Sequence, residues 1–266
     1  MPYDFREYVD SYQRYASLGA LETIATLREG EREYPLLRLM VPGERTVVVT
    51  AGFHGEEPAP PLTLLEHTGD VVDYARSRGL GLRIYPCINP SGFEDGTRYN
   101  RSGEKPNNDF LRYELHDGTV VDEGFPGMEF RAWRLAHGGP KETRAMRDEL
   151  DRWPAPAAAL DLHQDRYLEG AFAYAYVFGE ADPYVPLVEE TARHAALAKG
   201  YKADERHHTD ELGLVRHHDG SVTDYFFRRG VKHTACLETT TETPLDACHR
   251  VNLAWIKGFI DLVAEG

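Results

Sequence analysis

The chain has 266 residues, of which 41% are hydrophobic, so it is long enough to bury a substantial core. Its formal net charge is −14 at pH 7. Such a surface repels phosphate backbones and anionic lipid, and we therefore expect neither a nucleic-acid partner nor a membrane partner. The three cysteines form no CxxC motif, the N-terminus has no apolar signal segment, and no window is apolar enough to span a membrane. These features predict a cytoplasmic protein without a disulfide framework.

Apolar segments rich in β-branched residues alternate along the chain with segments of helical periodicity. Strands are predicted at residues 45–51, 81–88, 157–162, 171–178 and 233–237. Helices are predicted at residues 60–79, 141–152, 183–199, 222–229 and 246–264. The fold class predicted by this alternation is α/β: one domain over residues 1–266, with a mixed, mostly parallel twisted sheet and helices on both faces.

Residues 89–130 differ from the rest of the chain because they are rich in Gly, Asn, Asp and Arg and show little periodicity. A long irregular stretch within a compact domain is usually a functional loop. In α/β sheets, ligands bind beyond the carboxyl ends of the strands. We therefore look for functional side chains in this loop and at the strand ends.

Three strand ends present groups that can bind and use a metal ion. His54 and Glu57 follow the first predicted strand, and His163 follows the third. Two imidazoles and one carboxylate, with a fourth position for water, are the donor set of a catalytic zinc site. Glu238 follows the last predicted strand, where a glutamate that is not a ligand could take a proton from an activated water. The spacing HxxE selects Glu57 over the adjacent Glu56.

Together with the loop, these residues resemble the zinc carboxypeptidase family, which includes carboxypeptidase A-like metallopeptidases and is related to murein-peptide amidases and N-acyl amino acid deacylases. The resemblance extends from the first predicted strand to the last helix. Asp224 ends the segment GSVTD, which stands fourteen residues before Glu238 as in the family. The loop residues that match the family register are Asn89-Pro90-Ser91-Gly92, Gly96-Thr97-Arg98, Asn100, Gly103 and Phe110.

The resemblance implies a role for each matching residue. His54, Glu57 and His163 match the zinc ligands, and Glu238 matches the general base. Arg98 matches the arginine that polarises the scissile carbonyl, a role that suits a fixed guanidinium because charge develops there only in the transition state. A carboxylate that orients a ligating histidine is also expected, and the candidates are Asp161 and Asp165.

The substrate-binding part of the loop departs from the family. Asn107 matches the family's substrate-binding asparagine, but Asn108 stands where the family has an arginine for the substrate's terminal carboxylate. A neutral amide cannot make that charge-assisted bidentate contact. Either the substrate has no ordinary free C-terminus, or another arginine takes the role of the one that is missing at Asn108. The candidates for that role are Arg101, Arg112 and Arg216. Arg216 occupies the position of the family's mobile tyrosine.

The predicted function is a zinc-dependent hydrolase of the carboxypeptidase type, which cleaves a terminal amide bond of a peptide or peptide-like substrate. The first alternative is an N-acyl amino acid deacylase, similar to aspartoacylase or desuccinylase, with the same zinc site and a small acyl-amino-acid substrate. The second is a metal-binding protein without catalytic activity. The paired histidines His207-His208 and His217-His218 lack carboxylates at ligand spacing, and we expect them in loops or in a pocket wall.

Overall fold

The computed structural model describes residues 3–124, 128–203 and 207–266. Its α-helices are α1 (Phe5–Tyr12), α2 (Ala59–Ser77), α3 (Pro90–Asp95), α4 (Lys141–Leu150), α5 (Val185–Thr191), α6 (Val222–Arg228) and α7 (Leu245–Glu265). Its strands are β1 (Ala20–Glu29), β2 (Arg32–Val41), β3 (Thr46–Ala51), β4 (Gly81–Tyr85), β5 (Leu111–Glu114), β6 (Val120–Val121), β7 (Ala132–Leu135), β8 (Ala158–Asp165), β9 (Phe172–Val177), β10 (Ala196–Leu197), β11 (Leu214–Arg216) and β12 (His233–Thr240). Short 3₁₀ turns cover Gln13–Ser17 and Asp182–Tyr184.

A nine-stranded sheet forms the centre of the fold, in the order β1-β2-β4-β3-β8-β12-β9-β10, with β11 also paired to β9. The run β4-β3-β8-β12 is parallel, as are the pairs of β9 with β10 and β11. The pairs β1-β2, β2-β4 and β9-β12 are antiparallel. The predicted mixed, mostly parallel sheet is confirmed, and its parallel centre brings the carboxyl ends of β3, β8 and β12 to one edge.

Both faces of the sheet are covered, as the continuous apolar runs of its central strands require. On one face, Val47 and Val49 of β3 belong to a core cluster with side chains of α1, α2 and α7. On the other face, Val48 packs in a second cluster with side chains of α4 and α6. The alternation along β3 therefore places one helical layer on each side. No helix in the described ranges is long and apolar enough to cross a membrane.

Several elements differ from the sequence-based expectation. The predicted helix 183–199 is wrong beyond Thr191: the chain turns after α5 and adds β10 beside β9, so sheet pairing overrides local helix propensity there. Strand 81–88 ends at Tyr85, and the hairpin β1-β2 was not predicted. Residues 89–130 contain α3 and two strands of a small sheet, in the order β6-β5-β7. That the whole of residues 1–266 is one catalytic domain stays a prediction.

Candidate metal centre and active-site cavity

The segment after β3 turns sharply before α2 begins, and this turn carries His54 and Glu57. Gly55 lies against the backbone of Gly92, where an added Cβ would meet the Gly92 carbonyl carbon at 1.8 Å. Only glycine fits this approach. The backbone N–H of Ala59, at the start of α2, donates to Oε1 of Gln164 at 2.8 Å. The turn is thereby tied to the end of β8.

His54, Glu57 and His163 converge on one point, although they come from two different strand ends. Nδ1 of His54 lies 2.7 Å from Oε1 of Glu57, and Nδ1 of His163 lies 2.7 Å from Oε2 of the same carboxylate. All three side chains are buried, and one ligand atom from each lies within 4.8 Å of the others. Two imidazole nitrogens and a carboxylate in this arrangement fit the donor set of a catalytic zinc ion. The cluster is a candidate metal site.

Asp161 fixes the orientation of the His163 ring. Nε2 of His163 lies 2.7 Å from Oδ2 of Asp161, which leaves Nδ1 to face Glu57. Asp161 also accepts hydrogen bonds from Thr50 Oγ1 at 2.7 Å and from Asn107 Nδ2 at 3.1 Å. A carboxylate behind a metal-binding histidine raises the basicity of the ligating nitrogen and holds the ring in place. The other candidate, Asp165, contacts Tyr174 instead, whose hydroxyl donates to it at 2.8 Å.

The buried charges of the cluster are coupled. Burial acts to raise the pKa of Glu57, but the imidazoles of His54 and His163 outweigh it and hold that pKa well below its usual range. Burial acts to lower the pKa of His163, but Asp161 and Glu57 raise it well above its usual value. For His54, burial prevails and lowers the pKa. The cluster therefore keeps Glu57 ionised and His54 neutral, the forms in which both bind metal.

Glu238 and Arg98 stand beside the cluster on the same cavity. Glu238 lies in β12 directly opposite His163 in β8, and its buried Oε2 has no hydrogen-bond partner within residues 3–124, 128–203 and 207–266. Burial raises the pKa of Glu238 well above its usual value, against the opposing effect of His163. Nη1 of Arg98 donates to Oε1 of Glu57 at 3.1 Å and to Oε1 of Glu56 at 3.4 Å. Glu56 therefore faces Arg98, not the imidazoles.

A cavity of about 440 Å³ opens over these groups. Asn107 and Asn108 line it. Two hydrogen bonds hold the Asn107 side chain in place: its Nδ2 donates to Asp161, and its Oδ1 accepts from the backbone N–H of Val222 at 3.1 Å. Arg216, the third candidate for a substrate-binding role, is not among the residues that line this cavity. It is the last residue of β11 and is exposed.

The other two candidate arginines are engaged elsewhere. Arg101 is paired with Asp95 at 2.6 Å, and Arg112 with Asp109 at 2.5 Å. Neither lines the cavity.

The residues of the cavity wall that the sequence did not indicate include Lys105 and Tyr167. Lys105 is in the KPNN segment, where the lysine itself was a signal because it introduces a cation two residues before Asn107. Tyr167 is 71% exposed, and the Arg98 guanidinium lies 5.8 Å from its ring centroid. Of the paired histidines, His217 lines the cavity, as expected for a wall residue.

No family model matches the chain. Its fold is similar to that of a candidate metallopeptidase from Shewanella amazonensis, with a TM-score of 0.73 and 22% identity over 98% of this chain and 93% of that one. A metallo-carboxypeptidase from Burkholderia cenocepacia is similar with a TM-score of 0.66 and 14% identity, over 98% of this chain and 69% of that one. The chain therefore has the metallo-carboxypeptidase fold, which confirms the resemblance at the level of the fold.

Proposed function

We propose that the protein is a zinc-dependent hydrolase of the carboxypeptidase type, which cleaves a terminal amide bond of a peptide or peptide-like substrate. The observation that supports this most strongly is that His54 and His163 direct their Nδ1 atoms at one carboxylate, that of Glu57, while Glu238 faces the same cavity. A site that only binds metal would need neither the carboxylate of Glu238 beside the ligands nor the guanidinium of Arg98.

His54, Glu57 and His163 would hold the zinc ion. When bound, zinc supplies a Lewis acid and lowers the pKa of a coordinated water to about 7. Glu238 accepts the proton of the attacking water and then donates it to the nitrogen of the leaving amine. Burial raises its pKa, which makes the ionised carboxylate a stronger base towards the attacking water.

Arg98 stabilises the negative charge that develops on the carbonyl oxygen of the scissile amide. Its Nη1 donates to Glu56 and Glu57, which fixes the guanidinium beside the ligands. An arginine has five N–H groups, so the others can donate to a substrate oxygen. A donor fixed in advance at this position is worth about a hundredfold to a thousandfold in kcat.

Lys105 is the cation that we assign to an anionic group of the substrate. Arg98 is the other cation of the cavity wall, and it is already paired with carboxylates, whereas Lys105 has no ion pair among the described residues. Desolvation in the cavity and the neighbouring Arg98 lower the pKa of its ammonium group, so a substrate carboxylate would be a favourable partner. For a substrate with a free carboxylate, Lys105→Met should raise KM about tenfold with little change in kcat.

The control is Lys199→Met, which removes an exposed lysine that does not line the cavity. An amidated analogue of the substrate should be insensitive to Lys105→Met. Equal KM values for wild type and Lys105→Met on the carboxylate substrate would remove Lys105 from recognition.

The experiment that tests the proposed function is the turnover of a Glu238→Gln variant. The amide keeps the size of the side chain but cannot accept the proton, so kcat should fall at least about a hundredfold while zinc content and the melting temperature stay unchanged. Glu189→Gln, at an exposed position on α5, is the matched control and should keep full activity. Turnover near the wild-type level in Glu238→Gln would refute the role of Glu238.

Asn108 favours a second candidate function, that of an N-acyl amino acid deacylase. A neutral amide and one exposed lysine suit a small acidic substrate as well as a peptide terminus. Dipeptides and acyl-amino acids assayed side by side separate the two functions. A zinc complex that is inert towards both substrate sets would instead support a binding protein.

A further inference from the structure

A second group of metal-ligating side chains lies between α2 and α7, apart from the cavity. Glu66 and His67 come from α2, and His249 comes from α7. Oε2 of Glu66 lies 3.5 Å from Nδ1 of His249 and 3.9 Å from Nε2 of His67. One ligand atom from each residue lies within 4.8 Å of the others, and none of the three residues lines the active-site cavity.

These separations are close to those around a zinc ion. Nitrogen and oxygen ligands about 2.0–2.2 Å from zinc, at tetrahedral angles, lie about 3.4 Å from one another. The Glu66–His249 distance already matches this value, and the Glu66 side chain is 54% exposed and free to adjust towards His67. Small rotations of surface side chains would therefore complete the geometry without any movement of the helices.

The two imidazoles are arranged as ligands would be. Nδ1 of His67 lies 3.5 Å from Oδ2 of Asp70, so this carboxylate favours a proton on Nδ1 and leaves Nε2 free towards Glu66. The His249 side chain is only 10% exposed, and its buried Nε2 has no hydrogen-bond partner among the described residues. The ring nitrogen that faces Glu66 is Nδ1, so Nδ1 is the atom of His249 available to an ion between the two helices.

We propose that Glu66, His67 and His249 form a second metal site, for zinc or a similar divalent transition ion, that links α2 to α7. The donor set of two imidazoles and one carboxylate suits this class of ion. The site is more exposed than the candidate catalytic site, so water completes its coordination and the ion exchanges more readily. α2 begins two residues after Glu57, and an ion here would strengthen a helix contact that already includes Asn252 Nδ2 donating to Thr63 Oγ1 at 3.0 Å.

The experiment is a zinc titration of the metal-free full chain, followed by calorimetry. Wild type should bind two equivalents. His163→Ala, which removes a ligand of the candidate catalytic site, should still bind one equivalent, and so should His67→Ala. The double variant His67→Ala/His163→Ala should bind none. His116→Ala is the matched control, because this exposed histidine also lies near a carboxylate, 3.9 Å from Glu129, and it should leave two equivalents.

A second measurement distinguishes the loss of the metal site from misfolding of the His67→Ala variant. The second equivalent of zinc should raise the melting temperature of wild type, and the single equivalent bound by His163→Ala should raise that of the variant. Zinc beyond the first equivalent should not raise the melting temperature of Glu66→Gln, a change at a half-exposed surface residue. Binding of one equivalent by wild type and of none by His163→Ala would overturn the second site. Because His163→Ala tests it without the catalytic ligand, the second site can fail or succeed independently of the proposed hydrolase activity.

Discussion

Glu142 is a buried carboxylate whose ionisation should make the stability of the protein depend on pH. It lies in the first turn of α4 with no solvent exposure, and Nδ2 of Asn100 donates to its Oε2 at 2.9 Å. Its Oε1 is buried and has no hydrogen-bond partner in the part of the chain that the structure describes. Burial raises the pKa of Glu142 from 4.5 to about 7. Because Asn100 belongs to the loop that carries Arg98, this contact supports the active-site wall.

The ionisation of Glu142 should make the folded state less stable as the pH rises. Between pH 4.5 and pH 7 the folded chain holds the Glu142 proton while the unfolded chain releases it, so stability falls as pH rises. The difference of about 2.5 between the two pKa values, at about 1.4 kcal/mol for each pH unit, gives at most about 3.5 kcal/mol. Of this, about 2.5 kcal/mol should be lost between pH 5 and pH 8.

The assay is urea denaturation of wild type and of Glu142→Gln at pH 5 and pH 8, with a chelator present so that metal binding does not contribute. The amide cannot ionise, so the free energy of unfolding of Glu142→Gln relative to wild type should be about 2.5 kcal/mol higher at pH 8 than at pH 5. Glu189→Gln controls for the loss of a charge at an exposed position. A relative stability that is the same at both pH values would refute the burial argument.

Three further predictions concern the candidate catalytic site. Asp161→Asn should weaken zinc binding there about tenfold to a hundredfold, measured by competition with a chelator, and wild-type affinity would contradict the role given to Asp161. Gly55→Ala should lower the melting temperature and the zinc content, because its Cβ would collide with Gly92, whereas Gly69→Ala on α2 meets its nearest atom at 3.6 Å and should be tolerated. Arg98→Ala should lower kcat at least about a hundredfold with a smaller effect on KM, and the reverse pattern would make Arg98 a binding residue.

The sheet centre and the main helices could be predicted because their patterns are strong. Continuous apolar runs mark strands buried on both faces, as in β3 and β8, and α2 has prolines at its start and a glycine after its end. The hairpin β1-β2 was missed although a signal exists: Gly30, with a positive φ of 63°, is in a two-residue connection between two long strands. The error after Thr191 had no local signal, since it depends on a free edge of β9.

The candidate ligands could be predicted because they lie at strand ends that meet at one edge of the sheet. His54 and Glu57 follow β3, whereas His163 lies within the last three residues of β8, which is longer than the predicted strand. The hydrogen-bond partners of these side chains could not be predicted, because they depend on contacts between residues that are distant in the sequence. Asp161 and Asp165 each lie two residues from His163 in the sequence, so the sequence does not distinguish between them. The contact of Asp161 with the His163 ring identifies it as the orienting carboxylate. Arg216 matches the position of the family's mobile tyrosine by its spacing from Asp224, and such a count does not determine whether the side chain lines the cavity. His67 and His249 are 182 positions apart and show no common pattern.

The most direct measurement of the central claim is a crystal structure of the zinc-loaded protein with data collected at the zinc absorption edge. We expect an anomalous peak that marks a zinc ion about 2.0–2.1 Å from Nδ1 of His54 and from Nδ1 of His163. The Glu57 carboxylate should be the third protein ligand of this ion. If no peak lies between these three side chains, or if the two rings point away from each other, the proposed metal hydrolase is refuted.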